Sequence, residues 1–175
     1  MPGEDIVDIY TADRRPTGRT CVRYSPMGPG EHRQVIHICI FDHDGRMLIQ
    51  HRVKTKSTFP GFWDVSVGGG VDSGETPQQA ATRELREELG LDHVFDRAPA
   101  VSLDTEKVFD DFFVIRMDLD PKDLAIQESE LDDVAWATRD EIEDMVREGT
   151  FIPYHPGLLD YLFHVGSVGT TEYRT

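Results

Sequence analysis

One helix in this chain has clear start and stop signals. Thr76 can cap the first turn, Pro77 suits the first helical position, and Gln79 can complete a capping box. Gly90 then supplies a left-handed stop, so the sequence predicts a helix over Pro77–Leu89. Three residues form its apolar stripe: Ala81, Leu85 and Leu89. A chain with this helix needs a partner surface that covers the stripe.

The edge next to the apolar stripe carries Glu84, Glu87 and Glu88. Glu84 repels both later glutamates, and those two lie in the last turn, where the helix dipole disfavours anions. Each of these effects is only about 0.2–1 kcal/mol, but apart from an Arg83–Glu87 pairing they act in the same direction. A solvated acidic face is the simplest interpretation of a glutamate run, whereas a bound divalent cation would turn the repulsion into a requirement.

The charge balance restricts the partners. With 18 basic and 33 acidic residues the formal net charge is −15, which repels nucleic-acid phosphates. A phosphate-bearing substrate would therefore need a metal ion or a local basic cluster. Such a cluster precedes the glycine run: Arg52, Lys54 and Lys56. It is expected to bind a diphosphate, although a solvated hairpin edge explains the same residues.

Alternation of apolar residues predicts an α+β chain with a sheet in its middle. Strands are predicted at Ile6–Tyr10, Gln34–Phe41, Met47–Arg52, Asp64–Val67, Ala100–Leu103, Phe109–Leu119 and Leu131–Thr138. Further helices are predicted at Arg139–Glu148 and Gly157–Val165. The turn signal at Asp42–Gly45 predicts a hairpin. We expect a single domain over residues 1–165, with residues 1–33 as an N-terminal extension packing on it and residues 166–175 as a flexible tail.

The glycine run and the helix together carry a recognisable spacing. Gly69, five residues, Glu75, seven residues and then Arg83-Glu84-Leu85-Arg86-Glu87-Glu88-Leu89-Gly90-Leu91 resembles the Nudix box, GX5EX7REUXEEXGU, with every fixed position filled. The resemblance implies a Nudix fold, a mixed β-sheet sandwiched between helices. It also implies a loop–helix–loop that binds Mg²⁺ or Mn²⁺ and hydrolyses a diphosphate linked to another group.

The resemblance also assigns roles to individual residues. Glu84 and Glu88 are expected as principal metal ligands, with Glu87 contributing directly or through water, and the carbonyl of Gly68 as a further ligand. Arg83 and Glu75 are expected to orient the carboxylates. Metal ions would neutralise the diphosphate and activate a water that attacks phosphorus.

The carboxylate that takes the proton varies within the family. The candidates are Glu84, Glu87, and a glutamate of the later segment, Glu128 or Glu130, for which an exposed acid before a strand is the simpler interpretation.

The segment before the glycine run also resembles a second branch of the family. Arg52, Lys56 and the Phe-Pro-Gly-Phe-Trp segment at 59–63 are similar to the isopentenyl-diphosphate isomerases. Those enzymes place a catalytic cysteine where this chain has Gly68, and they usually depart from the full box. The sequence therefore favours a pyrophosphohydrolase acting on a nucleoside diphosphate or its conjugate. An isomerase and a non-catalytic binding module remain as alternatives.

Other residue types add expectations of a simpler kind. Cys21 and Cys39 are predicted to be free thiols, and His37 a strand residue or pocket wall. Aromatic residues at 59, 62 and 63 could stack on a nucleobase, but packing in the core is the usual role of such residues. No apolar segment is long enough for a membrane span, so we expect a cytoplasmic protein with a small-molecule diphosphate as partner. The sequence leaves a homodimer open.

Overall fold

The computed structural model describes residues 5–168. In these residues nine strands and three helices follow one another in the chain. The strands are β1 Ile6–Thr11, β2 Pro16–Val22, β3 Glu31–Phe41, β4 Met47–Arg52, β5 Trp63–Asp64, β6 Val67–Gly70, β7 Val101–Asp104, β8 Val108–Arg116 and β9 Leu131–Ala137. The helices are α1 Pro77–Leu89, α2 Arg139–Glu148 and α3 Pro156–Val168, with a short 3-10 turn at Pro121–Asp123.

Strand β3 is the centre of the sheet. Its residues 33–41 pair in parallel with β8, while residues 35–38 pair antiparallel with β6 on the other side. β7 extends the sheet beyond β8. At its carboxyl end β3 turns through Gly45, whose φ is +77°, into β4, which pairs with β5 and β9. The predicted hairpin is confirmed.

Alternate residues of β3 enter two cores on opposite faces of the sheet. Ile36, Ile38 and Ile40 pack with the apolar stripe of α1. Cys39 and Phe41 pack with residues of α2 and α3. Helices therefore cover both faces of a mixed sheet, which confirms the α+β sandwich and identifies the surface that covers the stripe of α1.

The three predicted helices form, and two have the predicted bounds. Thr76 and Gln79 make both bonds of the capping box, and Gly90 ends α1 at φ +68°. The third helix runs from Pro156 to Val168, beyond the predicted end at Val165, because Gly166 lets the helix lie against the Phe41 ring. The first three residues of the predicted flexible tail are thus helical, and residues 169–175 lie outside the described part of the chain.

Apart from shifted end residues, such as β8 ending at Arg116 and not at Leu119, the strand predictions fail at two places. The single strand predicted over Asp64–Val67 is two strands, since β5 pairs with β4 whereas β6 pairs with β3. Buried Ser66 occupies the crossing point, where its hydroxyl donates to the Leu48 carbonyl and accepts from the Ile40 amide. The segment from Thr11 to His32, for which no strand was predicted, contains β2.

β1 and β2 form an N-terminal hairpin that joins the amino end of β3 through Tyr10–His32 and Thr11–Glu31 pairing. In its turn, Arg14 donates to the fully buried carboxylate of Asp111 at 2.6 Å and lies over the Phe109 ring at 4.9 Å. Both cysteines are free. No helix in the described residues is long and apolar enough to cross a membrane.

We predict that Arg14→Ala lowers the free energy of unfolding by about 2–3 kcal/mol, because it leaves the Asp111 carboxylate buried beside only the Ser102 hydroxyl. Breaking a fully buried ion pair costs about 3–5 kcal/mol. The expected loss is smaller here because solvent screens Arg14, whose side chain is about one-third exposed. The matched control is Arg15→Ala, whose ion pair with Asp13 is exposed and contributes less than about 1 kcal/mol. Urea unfolding followed by tryptophan fluorescence measures both, and equal midpoints would contradict the role of Arg14.

Candidate active site at the acidic helix

A cleft of about 750 Å³ lies where β3, β6 and α1 meet. Its floor includes the glycine run of β6, and one side is formed by the three glutamates of α1. The basic segment after β4 contributes Arg52 and Lys56, and the turn before β9 contributes Glu130. The sequence predicted these groups separately, and the fold brings them to one cavity.

The acidic edge of α1 is mostly buried, which argues against a solvated face. Glu84 and Glu88 are 7% and 3% exposed, whereas Glu87 is exposed at the cleft. Gly69 is essential to this arrangement, because a Cβ there would lie 2.1 Å from the Glu84 carboxyl carbon. Gly68 lies on the cleft floor, and its backbone lowers the pKa of Glu88 against the effect of burial. Its carbonyl as a metal ligand stays a prediction.

Arg83 connects the acidic groups. Its guanidinium makes two bonds to Glu75 at 2.9 and 2.8 Å and donates to the Gly70 carbonyl at 3.0 Å. It also reaches Glu84 at 2.7 Å and Glu87 at 3.3 Å. The hydrogen bonds from Arg83 lower the pKa of Glu75. Arg83 and Glu75 therefore lie where residues that orient the carboxylates are needed.

The two buried glutamates are poorly compensated. Burial raises the pKa of Glu84, against the effect of Arg83. Burial, together with the charge of Glu84, raises the pKa of Glu88 to about 8. One carboxylate oxygen of Glu88 is buried and has no hydrogen-bond partner within the described part of the chain.

This donor set fits a divalent cation such as Mg²⁺, which prefers hard carboxylate oxygens and would relieve the repulsion. Among residues 5–168, however, no three His, Cys, Asp or Glu side chains already converge as a metal site. The assignment of Glu84, Glu87 and Glu88 as ligands therefore stands on donor chemistry and burial, and it stays a prediction.

The basic segment is divided by the structure. Arg52 lines the cleft, with its guanidinium donating to the buried Asp64 carboxylate at 3.3 Å and to the Thr58 carbonyl at 3.0 Å. Lys56 also lines the cleft and forms an ion pair with Glu130. Burial lowers the pKa of Lys56. Lys54 is exposed and lies outside the cleft, because it points from the turn toward Gly61.

The later glutamates are also separated. Glu130 lines the cleft, while Glu128 is exposed outside it. The turn that carries Glu130 is fixed to α1, since the amide of Gln127 donates to the Glu88 carbonyl at 2.9 Å. A second bond, from the Val53 amide to the Glu130 carbonyl at 3.2 Å, joins this turn to the basic segment.

Several cleft residues were not predicted as site residues. Arg23, Tyr24 and Arg33 come from the N-terminal hairpin and the start of β3. Sequence spacing gave no signal for them, because the pairing of distant strands brings them to the cleft: Arg23 and Tyr24 follow the β1–β2 hairpin, and Arg33 lies on β3 beside β6. His37 lies in the wall, stacked on Phe112 and bonded to Asp110 at 3.1 Å, in agreement with its predicted role. Tyr154 donates to Asp64 at 2.8 Å beside it.

Comparison with known proteins shows that the chain belongs to the Nudix family. The NUDIX domain model matches residues 30–155. An uncharacterized Nudix hydrolase of Listeria monocytogenes is 40% identical over 168 residues, which cover 95% of this chain and 98% of the relative.

The same fold occurs in solved structures. A Deinococcus radiodurans crystal structure aligns with a TM-score of 0.75 and 25% identity, covering 89% of this chain and 98% of that one. The NUDIX domain of Shewanella oneidensis NrtR, solved with ADP ribose, aligns with a TM-score of 0.58 and 18% identity over 79% and 91% of the two chains.

We predict that Arg83→Lys weakens divalent-cation binding about 10- to 100-fold, because one ammonium cannot replace a guanidinium that contacts three carboxylates and a carbonyl. Arg86→Lys is the matched control on the same helix, since Arg86 is exposed and pairs with Asp92 at the surface. Titration calorimetry with Mn²⁺ measures both affinities. Equal affinities for the two variants would show that Arg83 does not position the ligands.

Proposed function

Because this chain belongs to the Nudix hydrolase family, which acts on pyrophosphate bonds, we propose that it cleaves the diphosphate linkage of a nucleoside diphosphate, free or joined to another group, with Mg²⁺ or Mn²⁺. The observation that carries the proposal is the pair of buried carboxylates, Glu84 and Glu88, on the same cleft as Arg52 and Lys56. Acidic and basic groups in one cavity suit a cation and a diphosphate together.

In this proposal the acidic residues bind the cation and the basic residues bind the diphosphate. Glu84, Glu87 and Glu88 would hold the cation, with Arg83 and Glu75 fixing their direction. When bound, the cation supplies charge neutralisation for the diphosphate and lowers the pKa of a water. Lys56 and Arg52 offer positive charge to the remaining diphosphate oxygens, Arg52 being held in place by Asp64.

Glu130 is the carboxylate that we propose accepts the proton from the attacking water. It lies in the cleft but outside α1, apart from the three glutamates proposed to hold the cation. The bonds of its turn to the end of α1 and to Val53 fix its backbone relative to the metal-binding glutamates. Its carboxylate pairs with Lys56, which lines the same cavity.

The cysteine chemistry of the isomerase branch has no support in the cleft. Cys39 is fully buried in the core on the α3 face, where burial raises the pKa of its thiol. Cys21 belongs to β2, and neither cysteine lines the cavity. The position that would need a cysteine is Gly68, where a Cβ would already lie 3.3 Å from the His37 ring.

We expect the full chain with Mg²⁺ or Mn²⁺ to release phosphate or a nucleoside monophosphate from a panel of nucleoside diphosphates, ADP ribose and isopentenyl diphosphate. Products are identified by chromatography and phosphorus NMR. Glu84→Gln should lower turnover at least about a hundredfold, because it removes a ligand charge. Its urea midpoint should not fall, since the glutamine removes a poorly compensated buried charge.

The matched control for that variant is Glu143→Gln on α2, whose residue pairs with Arg139 away from the cleft. Unchanged turnover in Glu84→Gln would refute the assignment of the site. An isomerised allylic diphosphate would identify an isomerase instead, and tight binding without any product would identify a binding module.

A separate prediction concerns the proton acceptor. Glu130→Gln should lower kcat by about 10²–10⁴ while leaving Mn²⁺ affinity within about twofold, because the amide cannot accept a proton. Glu128→Gln, two residues away and outside the cleft, should turn over like the unmodified protein. Steady-state kinetics and calorimetry on the pair provide the test. Equal kcat in both variants would exclude Glu130 and leave Glu84 and Glu87.

A further inference from the structure

One wall of the cleft comes from a segment that precedes the family match. Asp5, Val7, Arg23 and Tyr24 line the cavity, whereas the matched domain begins at residue 30. The guanidinium of Arg23 lies over Gly70, where a Cβ would be 2.6 Å from its carbon, and it pairs with Asp72 at 2.9 Å. The N-terminal hairpin therefore reaches the glycine run itself and faces whatever is bound there.

Two exposed aromatic residues line this cleft. Tyr24 is 62% exposed and Phe59 is 43% exposed. They come from different segments, the end of the N-terminal hairpin and the loop between β4 and β5. Exposure of a large apolar ring costs free energy unless another molecule covers it, so exposed aromatics inside a cavity indicate a ligand surface.

The backbone of both residues is strained. Among residues 5–168 the non-glycine residues with positive φ are Arg14, Tyr24 and Phe59, and the values for the two aromatics are +72° and +46°. Left-handed backbone is unfavourable for residues with a bulky side chain, and it clusters at ligand-binding positions. Arg14 has a structural reason, its bond to Asp111. Tyr24 stays mostly exposed, and Phe59 packs edge-on against Phe62 but remains exposed at the rim.

Tyr24 is also held in a defined position. The guanidinium of Arg33 lies over one face of its ring, 5.6 Å from the centroid. Arg33 itself lines the cleft and contacts the Met27 sulfur at 3.9 Å. One face of the Tyr24 ring is thus occupied by a cation, and the 62% exposure of the side chain leaves the other face accessible. A second planar group could extend this stack.

We propose that Tyr24, backed by Arg33 and accompanied by Phe59 at the rim, is the binding site for the nucleobase of the substrate. This inference rests on the proposed function only in taking a nucleotide as the substrate class. The diphosphate would lie toward Lys56, Arg52 and the glutamates, and the base toward the N-terminal hairpin. Selectivity for the group attached to the diphosphate then depends on residues outside the matched domain.

Calorimetry on the full chain with Mg²⁺ tests the site without any turnover. The probes are the monophosphates of adenosine, guanosine, cytidine and uridine, with ribose 5-phosphate as the probe that lacks a base. At least one nucleotide should bind about fivefold to a hundredfold more tightly than ribose 5-phosphate, the range expected for stacking on one aromatic ring. Tyr24→Ala should abolish that difference, and Tyr24→Phe should preserve it.

Two controls separate stacking from general damage. Tyr24→Ala should leave the affinity for ribose 5-phosphate unchanged, and Tyr161→Ala should leave all affinities unchanged because Tyr161 is partly exposed but lies outside the cleft. Four nucleotides that bind no more tightly than ribose 5-phosphate would overturn the proposal, as would a Tyr24→Ala variant that keeps the difference. Failure to hydrolyse diphosphates would instead refute the proposed function, since the calorimetry uses monophosphates.

Discussion

The guanidinium of Arg83 is the contact on which the rest of the cleft depends. Without it, Glu75, Glu84 and Glu87 would be close carboxylates in a chain whose net charge is already −15. Its bond to the Gly70 carbonyl also joins α1 to β6, so the acidic helix and the glycine floor keep one relative position. The arrangement is still short of positive charge, because Arg83 pairs with the other three glutamates, whereas Glu88 is buried and keeps one oxygen without a hydrogen-bond partner among residues 5–168. The divalent cation proposed above would supply the missing positive charge.

Close approach explains why the floor of the cleft is made of glycine. The carboxylate of Glu84 occupies the space of a side chain at Gly69, and the guanidinium of Arg23 occupies that at Gly70. Both charged groups can therefore lie against the backbone of β6. The Glu84 carboxylate lies over Gly69, and the Arg23 guanidinium lies over the adjacent Gly70. This juxtaposition follows from the absence of two Cβ atoms, and no larger rearrangement of the sheet is required.

The sequence predicted the parts of the fold and site that depend on local signals. These signals each lie within a few residues of sequence: the caps of α1, the β3–β4 turn and the spacing of the glutamates. The predicted caps and turn agree with the structure. Contacts between distant segments were not predictable in this way. The split of Asp64–Val67 depends on which strand each half pairs with, and the exclusion of Lys54 from the cleft depends on the path of a turn. Tyr24 reaches the cleft only through hairpin pairing.

The ion pair between Arg14 and Asp111 lets the cleft end of the N-terminal hairpin vary in sequence while its turn stays attached to the sheet. It fastens the N-terminal hairpin at its turn, on β8, while the other end of the hairpin lies at the cleft. Substitutions near Arg23 and Tyr24 can therefore change the shape of the cavity without loosening the hairpin from the sheet. The residues proposed for cleavage and those proposed to bind the base belong to separate stretches of chain, so substitutions in one stretch need not alter the other.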